Sequence, residues 1–239
     1  GTNVRRQGEI FRAGEVLLTA PRRLTRGDIG LAASLGYAKL SCRPVVRAAV
    51  FSSGDELVEP SDGRPLSDGR IYNANGAYVT LAARALGIDA EYAGILPDDD
   101  AVIEARFREA AATHDLVICS GGVGPGDCDF TAAVLNRLAD LRHYHVAQRP
   151  GKPFSFGYFK EAHTLILGLP GNPVASATSA ENFLRTAVEA LQGVHEKQLV
   201  LTARLEGRIK SRAGRRDIVR GVLKTAEDGT LLFTCLLYT

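Results

Sequence analysis

The chain has 239 residues, of which 45% are hydrophobic and 23% charged, with a formal net charge of +2. This composition is typical of a globular protein with a sizeable core, and it excludes the broad basic field of a non-specific nucleic-acid binder. No apolar run approaches the ~20 residues of a membrane span. The four Cys and five His are scattered, without the close pairs of zinc or redox motifs. We therefore expect a cytoplasmic protein without nucleic-acid or membrane partners.

Residues 1–44 are predicted to form a polar lead-in and one short helix over residues 25–35. Thr25 is the candidate N-cap of this helix and Gly36 is its stop signal. Because the chain begins with Gly1 and contains no Met, we expect the remnant of an N-terminal or linker domain whose upstream sequence is missing.

From residue 45 to residue 194, predicted strands alternate with predicted helices. The strands cover residues 45–51, 88–95, 115–119, 143–147, 154–159 and 164–169, and the helices cover residues 73–86, 99–112, 129–138 and 173–191. This alternation predicts an α/β domain with a mainly parallel sheet in a three-layer arrangement. Residues 195–239 contain shorter β-like runs, at 199–205, 218–223 and 231–234, which predict a small C-terminal β domain. For residues 235–239, a native strand end and sequence foreign to the protein are equal alternatives.

Two loops combine glycine with proline. In the first, Arg149 and Lys152 flank Gly151, and in the second, Gly171 leads into a predicted helix near Pro173. Glycine allows a ligand to approach closely, proline stiffens the loop, and a helix N-terminus entered through such a turn attracts anions. A lysine between two prolines is better explained by anion binding than by a solvated surface. These loops predict a phosphorylated small-molecule ligand.

A pair of acids follows the first predicted strand of the α/β domain. Strand 45–51 runs into Ser53, Gly54, Asp55 and Glu56. In open parallel sheets, ligands collect beyond the carboxyl ends of the strands, and paired carboxylates there can bind Mg²⁺. A turn whose acids only cap backbone donors is the alternative, and this motif alone favours neither.

The loop after strand 115–119 combines glycines with further acids. It begins with Ser120, Gly121 and Gly122 and continues to Asp127 and Asp129. Consecutive glycine amides can form a nest for a phosphate, and acids beside a phosphate suggest a metal ion between them.

Other polar residues have plainer explanations. Asp99 is expected in the first turn of helix 99–112, where a carboxylate stabilises the helix dipole. Asn73 and Asn75 are expected to cap helix 73–86. The basic residues of the C-terminal tail predict a solvated or ligand-facing edge rather than a nucleic-acid surface.

Six motifs in chain order closely resemble the molybdopterin molybdenumtransferase family, the MoeA-like family related to the E domain of gephyrin. The resemblance covers residues 3–234 in register, and six ordered motifs are far more specific than one glycine loop. The motifs are Ser53-Gly54-Asp55-Glu56-Leu57, Ile71-Tyr72-Asn73-Ala74-Asn75, Pro97-Asp98-Asp99, Ser120-Gly121-Gly122-Val123, Pro150-Gly151-Lys152-Pro153 and Gly168-Leu169-Pro170-Gly171-Asn172-Pro173-Val174.

The resemblance implies an enzyme that takes adenylylated molybdopterin and molybdate and, with Mg²⁺, releases AMP while placing molybdenum on the dithiolene sulfurs. It also implies a homodimer whose site is completed by the second subunit, and molybdopterin adenylyltransferase as a further partner. By analogy with the family, the residues expected to act in catalysis are Asp55, Glu56, Asp99, Asp129 and Lys152, and those expected to bind metal are Asp55, Glu56 and Asp129. The residues expected to bind the pterin nucleotide are Ser53, Gly54, Ser120, Gly121, Gly122, Asp127, Arg149, Gly151, Pro170, Gly171, Asn172 and Pro173.

The chain departs from the family pattern at three places. Gly124-Pro125 interrupts a loop that usually reads Gly-Gly-Val-Ser-Val-Gly, and Arg149 stands where lysine is usual. The family's N-terminal portion, with an inserted domain, is expected upstream of Gly1, so binding without turnover is one expectation for this chain.

Two other functions compete with the leading one. A molybdopterin adenylyltransferase is disfavoured by the loop at 168–173 and the β tail, and a non-catalytic scaffold is disfavoured by the retained acids.

Overall fold

The computed structural model describes residues 2–63, 65–122 and 130–236. The helices are α1 (Arg26–Ser34), α2 (Asn75–Ala85), α3 (Asp100–Thr113), α4 (Phe130–Leu138), α5 (Pro173–Ser179) and α6 (Arg185–Gln192). The strands are β1 (Arg47–Ser53), β2 (Leu57–Val58), β3 (Ile71–Tyr72), β4 (Asp89–Leu96), β5 (Leu116–Ser120), β6 (Ala139–His145), β7 (Gln148–Arg149), β8 (Pro153–Phe159), β9 (Leu165–Leu169), β10 (Arg204–Glu206), β11 (Arg216–Asp217), β12 (Gly221–Thr225) and β13 (Leu231–Cys235). No helix among these residues is long and apolar enough to cross a membrane.

A six-stranded sheet in the order β4-β1-β5-β9-β8-β6 forms the centre of the α/β region. The four strands from β4 to β9 are parallel, β8 is antiparallel to β9, and β6 is antiparallel to β8. β5 and β9 are buried along their whole lengths and are rich in Leu, Val and Ile, as expected for parallel strands that are covered on both faces. The predicted mainly parallel α/β fold is confirmed.

Helices cover both faces of this sheet, and successive side chains of β1 pack alternately against the helices on the two faces. Ala48 and Val50 belong to one core cluster, which also contains residues of α2 and α6. Ala49 and Phe51 belong to the other, which contains residues of α3 and α4. Phe51 meets Phe107 of α3 edge to face, with ring centroids 5.5 Å apart. Successive side chains of a strand point to opposite faces, so an apolar strand such as β1 supplies both cores.

Three predicted helices begin at short polar residues that accept hydrogen bonds from backbone N–H groups of the first turn. Thr25 and Asp28 form a capping box at α1, in which each side chain accepts a backbone hydrogen bond from the other residue. Asp99 caps α3 and Asn172 caps α5. The predicted helix 173–191 is observed as a continuous helical segment from α5 to α6, interrupted only by a π turn at Ala180–Leu184.

The structure corrects three predicted strands, and one of these is 218–223, of which only residues 221–223 belong to a strand, β12. β6 begins at residue 139, four residues earlier than the predicted strand 143–147, because the chain passes from α4 into β6 without a Gly or Pro that would mark the boundary. In the tail, only Arg204 and Leu205 of the predicted strand 199–205 belong to a strand, β10, which pairs with β13. Leu199 and Val200 are each 84% exposed and lie outside any strand, so their β-prone composition was misleading.

Very short strands, which the sequence did not predict, join separate parts of the chain. β2 pairs with β3 after the end of β1, and β7 pairs with β11, which brings the backbone of Arg149 against that of Asp217. The tail strands form a sheet in the order β10-β13-β12. Pairs of two residues carry almost no local signal, because their stability depends on long-range contacts.

Candidate functional site

The predicted site loops meet at one edge of the central sheet. β1, β4, β5 and β9 are parallel, so their carboxyl ends lie at the same edge, where open α/β sheets bind ligands. β8 runs antiparallel to β9, with Ser155 opposite Gly168, so its first residue, Pro153, lies at this edge as well. The loops that carry Asp55, Asp99, Gly121, Lys152 and Gly171 therefore share one edge.

Two of the glycine loops touch each other and the end of β1. Gly121 has φ +84°, and a Cβ atom built on it would lie 2.3 Å from the carbonyl oxygen of Ser53. The Gly121 N–H donates to the carbonyl of Leu169 over 3.0 Å, and a Cβ atom on Gly171 would lie 3.5 Å from Gly121 Cα. Only glycine fits at position 121, because any side chain would collide with the backbone of β1.

A buried amide links the same two loops to the start of α2. Asn75 Nδ2 donates to Ser120 Oγ over 2.7 Å and to the Gly171 carbonyl over 2.8 Å. Ser120 Oγ also lies 3.2 Å from Ser176 Oγ of α5. The expectation that Asn75 caps α2 is therefore wrong: it is the first residue of that helix, and its side chain points across the sheet edge. Asn73 precedes Ala74, which is the N-cap residue, but its Oδ1 accepts the Gly76 N–H over 3.1 Å and so satisfies one backbone donor of the first turn.

Asn73 also belongs to a second cluster of polar side chains, which was not predicted. Asn73 Oδ1 accepts a hydrogen bond from Ser52 Oγ over 3.1 Å, and Asn73 Nδ2 donates to the Tyr92 hydroxyl over 2.6 Å. The Tyr92 hydroxyl in turn donates to the carboxylate of Glu59. Burial, followed by the hydrogen bond to Glu59, raises the pKa of Tyr92 well above its ordinary value. No local pattern predicts contacts between residues so far apart in the chain.

The acids after β1 are accessible. Asp55 and Glu56 are both exposed, and the Glu56 carboxylate folds back so far that a Cβ atom on Gly54 would lie 2.6 Å from it. The guanidinium of Arg70 donates to the Asp55 carbonyl, not to its carboxylate. Within residues 2–63, 65–122 and 130–236, no Lys, Arg or His forms a salt bridge with either carboxylate. Both acids are thus available to a ligand.

The described part of the chain contains no group of three or more His, Cys, Asp or Glu side chains that could hold a metal ion. Asp127 and Asp129, which were predicted to complete such a group, lie outside the described residues, as does Gly124-Pro125. Asp99 lies at the same edge as Asp55, and its carboxylate accepts hydrogen bonds from the N–H groups of Ala101 and Val102 over 2.9 and 3.0 Å. The helix-start explanation of Asp99 is therefore confirmed by its contacts.

The loop that carries Lys152 is anchored to the helix that begins at Pro173. Gly151 is buried with φ +86°, and a Cβ atom on it would lie 2.6 Å from Ser179 Oγ. The Gln148 side chain donates to the Gly151 carbonyl over 3.1 Å, whereas Lys152 itself is exposed. Such packing presents the lysine on a shaped loop whose backbone is held in place.

Two predicted ligand-binding residues have internal partners. The Ser53 hydroxyl lies 2.7 Å from the Thr131 hydroxyl and is 8% exposed, and the backbone of Arg149 pairs with β11. Ser53 therefore links β1 to α4, and Arg149 offers only its side chain to a ligand.

A cavity of about 200 Å³ lies at the opposite edge of the sheet, lined in part by Arg108, Arg137 and Lys160. Arg108 is paired with Glu104 at 3.0 Å, and Arg137 with Asp100 at 3.1 Å. Because both arginines are already paired with acids and Lys160 donates to the Arg137 carbonyl over 3.1 Å, the cavity is a poorer anion site than the glycine loops.

The fold and the loop edge define a class of protein, the α/β proteins with a mainly parallel sheet, in which ligands generally bind beyond the carboxyl ends of the strands. Residues 49–190 match the family model described as a probable molybdopterin binding domain. The chain therefore belongs to the molybdopterin-binding domain family.

Two curated relatives match more than nine tenths of the chain. The molybdopterin molybdenumtransferase of Haemophilus influenzae is 38% identical over 231 residues, which are 96% of this chain and 56% of that protein. Molybdopterin molybdenumtransferase 2 of Mycobacterium tuberculosis is 34% identical over 235 residues. The crystal structure of the molybdopterin biosynthesis MoeA protein from Pyrococcus horikoshii superposes with a TM-score of 0.72 at 28% identity, covering 90% of this chain and 51% of that one. The chain thus spans about half the length of the relatives it matches.

Proposed function

We propose that this chain binds adenylylated molybdopterin at the loop edge and takes part in placing molybdenum on it. Water cleaves the phosphoanhydride and AMP leaves, while molybdate exchanges one oxide, lost as water with the two thiol protons, for the two dithiolene sulfurs. No oxidation state changes in this exchange. The observation that carries the proposal is the contact between the Gly121 and Gly171 loops, at the sheet edge that also carries the Gly151 loop and the exposed acids, in a chain of the molybdopterin-binding family.

The residues at the edge have chemistry suited to a pterin nucleotide. Backbone amides of the glycine loops other than the Gly121 N–H, which is bonded to Leu169, can donate to phosphate oxygens. Lys152 adds a positive charge at the side of the edge that faces β8. These groups bind and orient the phosphates, and charge stabilisation at the scissile bond is the main contribution that such a reaction asks of a protein.

Asp55 and Glu56 are suited to hold Mg²⁺, since they are neighbouring, exposed and unpaired with any described cation. When bound, Mg²⁺ would neutralise negative charge on the phosphates. The roles predicted for Asp99, Asp127, Asp129 and Arg149 stay predictions, as does the division of the chain at residues 44 and 194. We further propose a cytoplasmic homodimer, and molybdopterin adenylyltransferase as the supplier of the nucleotide.

The test is AMP release by this chain from adenylylated molybdopterin, with and without molybdate and Mg²⁺. Glu56→Ala should lower the rate about 100-fold, the loss typical for removal of one group that stabilises charge in a transition state. The matched control is Asp89→Ala: Asp89 is an exposed acid at the first residue of β4, and therefore at the opposite edge of the sheet. This control should release AMP like the unchanged chain.

Each outcome separates the candidate functions. Release that requires molybdate and Glu56 supports the insertion reaction. Tight binding without release would restrict the chain to a binding module, and synthesis of the adenylylated pterin from ATP would indicate an adenylyltransferase. Absence of binding would overturn the proposal.

A further inference from the structure

Asn75 occupies a central position at the site that no motif argument assigns to it. It is 7% exposed, and its amide nitrogen uses both of its hydrogens: one bond reaches Ser120 at the end of β5, the other reaches Gly171 after β9. The two partners lie 45 and 96 residues further along the chain. The Asn75 side chain thus joins three loops that are far apart in the sequence.

An amide is better suited to make these two hydrogen bonds than any other side chain of similar shape. Two acceptors, a hydroxyl oxygen and a carbonyl oxygen, converge on one NH₂ group, and only an amide nitrogen offers two donors at that position. Aspartate has the same shape but would place a carboxylate oxygen against the Gly171 carbonyl, so that two acceptors face each other. Alanine would leave the Gly171 carbonyl without this donor.

The rest of the cluster makes the spacing of the loops depend on this amide. Ser120 Oγ is 1% exposed and also lies 3.2 Å from Ser176 Oγ and 3.4 Å from the Pro170 carbonyl. The Gly121 N–H to Leu169 bond extends the pairing of β5 with β9 up to the first glycine of the loop. Asn75 adds a side chain that is bonded to both loops, through Ser120 Oγ and the Gly171 carbonyl.

We propose that Asn75 is a positioning residue, which sets the separation of the Gly121 and Gly171 loops through Ser120 and the Gly171 carbonyl. The proposal rests on the proposed function in one respect: the ligand whose binding depends on this separation is the pterin nucleotide. A ligand that contacts both loops loses affinity when their separation changes by a fraction of an ångström, because its phosphate contacts are then no longer satisfied together.

The experiment compares Asn75→Asp with Asn136→Asp, an exposed residue of α4 that receives the same change of charge and lies outside the site. Hydrogen exchange is followed in peptides covering residues 116–122 and 165–176 of the ligand-free chain. The dissociation constant of adenylylated molybdopterin is measured at 10 °C on samples shown to be folded by circular dichroism, so that lost stability alone leaves it unchanged. Ser120→Ala, which removes one acceptor, serves if Asn75→Asp does not fold.

We expect Asn75→Asp to speed exchange in both peptides and to weaken nucleotide binding about tenfold or more, with Asn136→Asp unchanged. Adding Ser120→Ala to Asn75→Asp should weaken binding little further, because both changes break the same link. Unchanged exchange overturns the inference. If binding weakens while exchange is unchanged, Asn75 contacts the ligand directly and does not act through the two loops. If the unchanged chain binds no nucleotide, the proposed function fails, and the exchange data still decide whether Asn75 holds the two loops together.

Discussion

A methyl group added at Gly151, in the loop that carries Lys152, would collide with groups of β7 and α5. The new Cβ atom would lie 2.6 Å from Ser179 Oγ, 2.8 Å from Gln148 Nε2 and 3.2 Å from the Ala175 carbonyl oxygen. Gly151 also has φ +86°, a conformation that residues with a Cβ atom rarely adopt. Gly151→Ala therefore combines backbone strain with a steric clash at a buried position.

The two contributions can be estimated separately. Left-handed backbone strain costs about 1–2 kcal/mol for a residue with a Cβ atom. Overpacking of a buried site costs about 1–3 kcal/mol. Gly151→Ala should therefore lower the free energy of unfolding by about 2–5 kcal/mol, which for a chain of this length corresponds to a fall in Tm of about 4–20 °C.

Two further variants separate clash from strain in thermal unfolding followed by circular dichroism. Gly214 has φ +83° with no atom within 4 Å of a built Cβ, so Gly214→Ala should show the strain contribution alone. Ser179 Oγ is buried without a hydrogen-bond partner among the described residues, so adding Ser179→Ala to Gly151→Ala should restore part of the lost Tm. Equal Tm losses in Gly151→Ala and Gly214→Ala, with no recovery in the double variant, would refute the steric argument.

Three other predictions concern the site edge, a buried phenol and a helix cap. Lys152→Ala should weaken binding of adenylylated molybdopterin at least tenfold, since a hydrogen bond to a charged group contributes about 1.5–3 kcal/mol. Lys160→Ala, at the opposite edge, should leave the affinity measured by calorimetry unchanged. The pKa of Tyr92 is raised from 10.0 by burial and by its partner, so its contribution to stability is complete below that pH and is lost as the pH rises. Tyr92→Phe should reduce the alkaline loss seen in urea unfolding at pH 8, 10 and 11; an equal loss in both chains would contradict this assignment. Thr25→Ala should destabilise α1 by about 0.5–2 kcal/mol, seen as faster hydrogen exchange in residues 26–34.

Local chemistry was enough to predict most of the elements. Thr25, Asp99 and Asn172 precede α1, α3 and α5 and cap them in the structure, because a capping side chain bonds to backbone only two or three residues away. The predictions failed where no local marker exists, as at the start of β6, or where apolar residues lack a partner strand, as at Leu199.

The edge at which the site loops meet could also be predicted, since parallel strands separated by helices bring their carboxyl ends together. The partners within that edge could not. Tyr92 and Glu59 lie 33 residues apart, and nothing in either neighbourhood indicates that they pair.

By itself, the sequence determined the alternation of strands and helices, the helix starts and the glycine loops that follow the strands, because each depends on residues within a few positions of one another. Only the tertiary structure decided which polar groups meet between those loops. The bonds from Asn75 to Ser120 and to Gly171 depend on the strand order that places β5 beside β9, and α2 over the same edge. Strand order follows from the burial of two whole sheet faces at once, which is a property of the assembled core and not of any segment.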